Sequence, residues 1–338
     1  MWSVSVTVTE LPRGVEPARV PIVVHRDLAD RAYRALATAA AFTTFVIMAL
    51  IGGYLLYRGS DAFRDAGWGF FTEQQWLAGQ GGAYGIGAAL PYTVQIAVVA
   101  MVIAVPVSVL AALFITEYAP PWARRILTST IDLLAAVPSL IFGLWGFFYL
   151  QPRIIGLSRW LSAHLGFIPI FGVDLDGRKS SPGDFASSTF IAGVVVALMI
   201  VPICTSVIRE VFAQAPAGEK EGALALGSTR WGVVRSVVLP FGRGGIIGGA
   251  MLGLGRALGE TIAVTLIISP YFDRRGSILA QGSNSIPSLI ALKFAESNDL
   301  GVSALMAAGL VLFAVTLLVN ALASMVVGRS RSGDATEI

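Results

Sequence analysis

Apolar residues run along this chain in six long blocks, at 35–57, 92–116, 126–150, 188–208, 244–269 and 302–327, each free or nearly free of charge. A helix rises 1.5 Å per residue, so about 20 apolar residues cross a hydrocarbon core of roughly 30 Å, and every block is long enough. Strands of a membrane barrel would be about half as long and would alternate polar with apolar positions, which these blocks do not. Inside lipid a helix satisfies its own backbone groups. The pattern therefore predicts an all-α fold, a polytopic bundle of six transmembrane helices at 35–327. It leaves a polar tail at 1–34, a short tail at 328–338, and connecting loops that include an outer one at 151–187 and a cytoplasmic one at 210–243, with no room for a separate soluble domain.

Composition supports the same reading. Lys, Arg, Asp and Glu make up 13% of the 338 residues and hydrophobic residues 55%, whereas a soluble domain carries about 25% charge. Mean hydropathy is +0.73. The net charge of +3 is small, and the basic residues lie singly or in pairs rather than on one stripe, so nucleic acid is not an expected partner. One cysteine, Cys204, and two histidines, His25 and His164, supply neither an internal disulfide nor a Cys/His metal cluster. Membrane lipid is the expected surroundings. Fourteen Lys and Arg lie in the tails and in the loops on their side, against nine in the other loops, which places both termini in the cytoplasm. The basic tail before residue 35 leads into a span of full anchoring length, not into a cleavable signal.

Three ionisable residues lie within the blocks: Asp132, Arg256 and Glu260. A charge near the bilayer centre costs at least ~2.5 kcal/mol, so each asks for a reason. Asp132 sits near the start of its block and reads as interfacial. Arg256 and Glu260 fall well inside theirs, four residues apart and hence on one face of a single helix. That face reads either as an ion pair that lessens the cost of its own burial or as the lining of a wet path. In the second reading, Arg256 offers a planar fork of donors to an oxyanion and Glu260 is its partner. Gly245, Gly249 and Gly253 recur every fourth residue, as do Gly255 and Gly259, which predicts close helix approach. Pro106, Pro138 and Pro202 fall inside the second, third and fourth blocks and predict kinks. No G-x-x-x-x-G-K-[ST] occurs, so ATP, if used, is bound by another chain.

The loop at 210–243 reads as short helix, broken at Gly227 and ended by Pro240. Within it Glu221-Gly222-Ala223 is followed, after three intervening residues, by Gly227 and, after nine more, by Val237-Val238-Leu239-Pro240. That spacing resembles the E-A-A-x3-G-x9-I-x-L-P signature of permease subunits of bacterial ATP-binding-cassette importers. Gly222 replaces the first alanine and Val237 the isoleucine, both small apolar changes. Two further stretches, Leu134 to Gly146 (LAAVPSLIFGLWG) and Leu252 to Val264 (LGLGRALGETIAV), are similar to segments of the PstC family, the permeases of inorganic-phosphate importers. With Glu117-Tyr118-Ala119-Pro120, the resemblance covers roughly 35–327.

The resemblance implies a type I importer permease fold in the bacterial plasma membrane. It implies a heterodimer with a PstA-like permease, two ATPase subunits that bind ATP and Mg, and an extracytoplasmic phosphate-binding protein. This chain itself holds no cofactor and makes no bond. Arg256, Glu260, Thr261 and Ser139 are then expected along the anion path, and Glu221, Gly222, Ala223, Gly227, Leu239 and Pro240 in coupling to the ATPase. Asp174 and Asp176 read as turn residues, because the other ligands of a calcium loop are missing. Sulfate and molybdate permeases carry a related Arg-x-Leu-Gly-Glu, but usually with an aromatic residue where this chain has Thr261. A membrane-embedded enzyme would need clustered acids, bases or metal ligands, which the sequence lacks, and a passive channel would not need the docking signature.

Overall fold

The computed structural model describes residues 28–77, 83–173, 181–268 and 276–331. Among them the fold is helical throughout, with only two isolated bridges, Trp76 to Tyr84 and Ser188 to Gln281. In chain order the helices are α1 (Leu28–Ala66), α2 (Gly69–Thr72), α3 (Leu90–Leu113), α4 (Pro121–Ala135), α5 (Ser139–Trp145) and α6 (Gln151–Leu165). They continue with α7 (Thr189–Ala213), α8 (Ala217–Ala225), α9 (Arg230–Val233), α10 (Leu239–Gly259), α11 (Ile262–Ile267), α12 (Ile286–Lys293) and α13 (Asp299–Arg331). Wide turns extend α3 to Tyr118, fuse α5 with α6 and fuse α9 with α10. Among the described residues six stretches are long and apolar enough to cross a membrane: Leu28–Ala66, Leu90–Tyr118, Ser139–Leu165, Thr189–Ala213, Arg230–Gly259 and Asp299–Met325. The six expected spans are present, although two are built differently.

Contacts divide the chain into two units. Up to Ile51 the described part is a single helix, the first half of α1, with its apolar side chains exposed; the second unit begins at Gly52.

α7 is the central helix of the second unit and the most buried of the six spans among the described residues. Small residues let its neighbours close on it. A Cβ on Gly193 would come within 2.5 Å of Val99 in α3, and one on Gly245 within 2.5 Å of Val211. Gly249 and Gly253 lie against Ile208 and Cys204 in the same way, and the Cys204 thiol donates to the Gly249 carbonyl at 3.1 Å. The four-residue glycine repeat at 245, 249 and 253 is thus the seam between α10 and α7. A second seam joins the end of α1 to α13: Gly59 meets the Ala307 backbone, and the Ser303 hydroxyl donates to the Arg58 carbonyl at 2.8 Å.

The third span is not one helix over 126–150. The chain leaves the helix at 136–138 and resumes at Ser139, running on to Leu165. Pro138 has no N–H to donate and biases Val137 away from helical angles, so it stands at the N-cap of α5 rather than inside a helix. Asp132 pairs with Arg209 at 3.9 Å and Gly146 lies against Val195, so α4 and α5 follow α7 antiparallel across the break. Asp132 is about half exposed, in keeping with an interfacial position. Residues 151–165 are helix, where a connecting loop was expected, while Asp174 and Asp176 lie outside the described residues. Pro106 and Pro202 do lie inside helices.

The fifth span also departs from expectation. Helix begins at Arg230 and stops at Gly259, so 244–269 is not one helix and Pro240 does not end the preceding one. Pro240 is accommodated because the five-residue wide turn at Val234–Val238 precedes it, loosening the ladder where the ring would crowd the carbonyl four residues back.

Candidate functional site

Glu260 is the residue at which α10 gives way. Its backbone is extended, φ −68° and ψ 119°, and its side chain is only 8% exposed. The carboxylate turns forward and accepts from the Ala263 N–H at 3.3 Å, satisfying one of the orphan donors at the start of α11. The expectation that Arg256 and Glu260 share one helical face as an ion pair is therefore overturned. Their spacing of four has that meaning only while the helix continues, and it does not continue past Gly259. No ion pair joins them among the described residues.

Arg256 instead faces an open cleft of about 500 Å³ between α7, α10 and α13, lined also by Ile203, Gly248, Leu252, Gly255 and Asn320. It is exposed there and makes no hydrogen bond or ion pair with a described residue. A Cβ on Gly248, Gly255 or Gly259 would meet nothing within 4 Å, so these glycines belong to the open face and not to the α7 seam. Close approach within the chain, expected for both glycine series, holds for the first series alone.

Ser139 and Thr261 come together through helix packing. A Cβ on Gly143 of α5 would lie 2.8 Å from Ala263 Cα, and one on Gly146 3.2 Å from Ile267. These contacts advance in the same direction on both helices, so α5 and α11 run parallel and begin at the same level. Ser139 opens α5 and Thr261 immediately precedes α11. The Thr261 hydroxyl donates to the Gly259 carbonyl at 3.2 Å, and Thr261's own carbonyl accepts from the Thr265 hydroxyl at 2.7 Å. Two helix breaks therefore stand side by side, the one at Glu260 four residues after Arg256, and the two helices that follow them run the same way.

The second candidate element is the segment from α8 to α10. Glu221, Gly222 and Ala223 lie in α8, which buries none of its residues. Gly227 has φ +86°, the left-handed region that a Cβ disfavours. It closes α8 with a paired cap: the Gly227 N–H donates to the Leu224 carbonyl at 2.9 Å and the Ser228 N–H to the Ala223 carbonyl at 3.1 Å. Thr229 then caps α9 by accepting from the Gly232 N–H at 3.1 Å. Leu226 is 90% exposed and Trp231 57%, so this short helix–turn–helix presents an apolar surface. Leu239 and Pro240 open α10, which makes the second half of the element continuous with the helix carrying Arg256.

α8 is tied to the bundle by charge. Lys220 Nζ lies 2.7 Å from Glu117 Oε1, with the two side chains 22% and 17% exposed. Beside them Arg124 donates to the Ile115 and Thr116 carbonyls at 3.0 and 2.6 Å. Arg209 pairs with Asp132 and, at 3.7 Å, with Glu210. Sequence reasoning missed this cluster and Asn320; the only signal for the latter was a carboxamide in an otherwise apolar span.

Residues 104–332, more than half of the chain, match the family described as "Binding-protein-dependent transport system inner membrane component". The chain belongs to that family. As a member it is a multi-pass inner-membrane transport component. "Phosphate transport system permease protein PstC 2" of Mycobacterium bovis is 40% identical over 326 residues, covering 94% of this chain and 99% of that protein. "Phosphate transport system permease protein PstC" of Xylella fastidiosa is 40% identical over 304 residues, 89% of this chain and 91% of its own length. The fold of this family member is also that of a chain in the crystal structure of a bacterial ABC transporter involved in the import of the acidic polysaccharide alginate. The TM-score is 0.56 at 16% identity, over 90% of this chain and 96% of that one.

Proposed function

We propose that this chain is the permease of an ATP-driven importer that carries inorganic phosphate inward, forming the path with a second, PstA-like permease. The observation that carries this reading is near-complete coverage, at 40% identity, by relatives named for phosphate transport. A guanidinium without a described partner, in an open cleft on the helix that begins at Arg230 just after α8, supports it. Phosphate released by an extracytoplasmic binding protein enters between the two permeases and meets Arg256. Of two ATPase subunits, holding ATP and Mg, one docks against α8, the exposed Leu226 that follows it and the exposed Trp231 of α9. Their closure moves α9 and α10 as one body because the helix is unbroken from Arg230 to Gly259. Both termini lie in the cytoplasm. Ser139, Thr261 and the Glu260 break position the path beyond Arg256.

The test is radiolabelled phosphate uptake in cells with and without this chain, challenged in turn by unlabelled phosphate, sulfate and molybdate. Uptake that depends on the chain and yields only to phosphate is the expected result. Inhibition by sulfate or molybdate would assign a sister oxyanion. Arg256→Gln should abolish uptake while the complex still assembles; loss of assembly would make Arg256 a packing residue.

A further inference from the structure

We propose that Asn320 is a second recognition group for the translocated anion, supplying the hydrogen-bond acceptor that Arg256 lacks. The inference rests on the phosphate reading above and deepens it. Arg256 and Asn320 are the polar side chains of the cleft; the other lining residues are Ile203, Met251, Leu252 and two glycines. They lie 64 positions apart in the chain and meet there because α13 packs along α10. Asn320 sits in an otherwise apolar stretch of α13, Leu317-Leu318-Val319 before it and Ala321-Leu322 after it. Its carboxamide is exposed and makes no hydrogen bond with a described residue. An unpaired amide facing hydrocarbon is costly, so the residue belongs to a wet or ligand-lined surface.

The chemistry of the two side chains is complementary. A guanidinium only donates hydrogen bonds, so it holds any oxyanion. A carboxamide donates through its nitrogen and accepts through its oxygen. Phosphate near neutral pH keeps at least one P–O–H, which needs an acceptor, whereas sulfate has none to offer. Phosphate can use the guanidinium donors and the carboxamide acceptor together, whereas a fully deprotonated oxyanion meets the carboxamide only through its N–H groups, so Asn320 in the cleft of Arg256 favours a protonated tetrahedral anion. Glu260 does not serve at this place, because its carboxylate is turned to the Ala263 N–H.

The experiment uses the assembled importer in proteoliposomes with its binding protein, reading radiolabelled phosphate uptake and recovery of the complex across pH. Asn320→Leu, similar in size but without hydrogen-bonding groups, should lower uptake about tenfold or more with the complex recovered intact. Asn320→Gln, which keeps the carboxamide, should restore most of it. Asn320→Asp should move the uptake profile toward acid pH, because a fixed negative charge there repels the phosphate dianion more than the monoanion. Undiminished uptake by Asn320→Leu, lost assembly, or Asn320→Asp lowering uptake by one factor at every pH would each overturn the proposal. If the unaltered importer moves no phosphate, the phosphate reading fails and this inference with it; the other outcomes leave that reading standing.

Discussion

The tie between α8 and the bundle can be broken and remade by charge. Glu117→Lys or Lys220→Glu replaces a 2.7 Å ion pair, with partners 17% and 22% exposed, by two like charges. Exposed pairs contribute at most about 1 kcal/mol, and breaking a fully buried one costs about 3–5. A charge-assisted hydrogen bond at this intermediate burial contributes about 2 kcal/mol, near the middle of the range for such bonds. At about 1.4 kcal/mol per tenfold, that is roughly a 30-fold change in the ratio of docked to released α8. α8 buries none of its own residues, so little else offsets the loss. Hydrogen exchange measured on the chain in lipid nanodiscs should quicken by about that factor at the amides of Ala217–Ala225, and little at α7. The double variant Glu117→Lys/Lys220→Glu should recover most of the protection, less a part for Arg124 in the same cleft. Unchanged exchange in the single variants, or a double variant no better protected than the singles, would refute the assignment of this pair as the anchor. In the assembled importer the single variants should also raise ATP consumed per phosphate carried.

The two glycine series give a contrast: Gly245→Ala places a Cβ 2.5 Å from Val211 and should cost about 1–3 kcal/mol, read as a lower unfolding temperature. Gly255→Ala meets no described residue, so the unfolding temperature should stay unchanged while pairing with the second permease, scored by co-purification, is weakened. Glu260→Ala removes the acceptor for the Ala263 N–H and should destabilise the start of α11 by about 0.5–2 kcal/mol, while Glu260→Gln keeps an acceptor and most of that stability. Burial, and then the hydrogen bond and charge of Asp65 at 2.8 Å, push the Tyr84 hydroxyl well above the usual tyrosine range. The stability this contributes is whole below a tyrosine's ordinary pKa and falls as pH rises through the raised one. Tyr84→Phe should flatten that alkaline loss in a melting series.

Much of this molecule is local physics. A block of 20 or more apolar residues pays its insertion cost residue by residue, so the six spans were legible without knowing what each one touches. Gly227 was legible for a similar reason, since a helix that must turn sharply before Thr229 needs a residue free to adopt φ +86°. Other features depend on atoms far away in the chain. Gly249 and Gly255 are indistinguishable as letters, yet one lies under Ile208 and the other opens on the cleft, because side-chain direction turns by about 100° per residue. The spacing of Arg256 and Glu260 indicated a shared face, but the chain stops being helical between them and the carboxylate is claimed by a backbone N–H three residues on. Lys220 finds Glu117 across 103 positions, and Asn320 lies in the cleft of Arg256, through helix packing alone. Hydropathy is additive along a chain and so can be read from it; partnership between side chains is set by how helices dock, which only the tertiary structure decides.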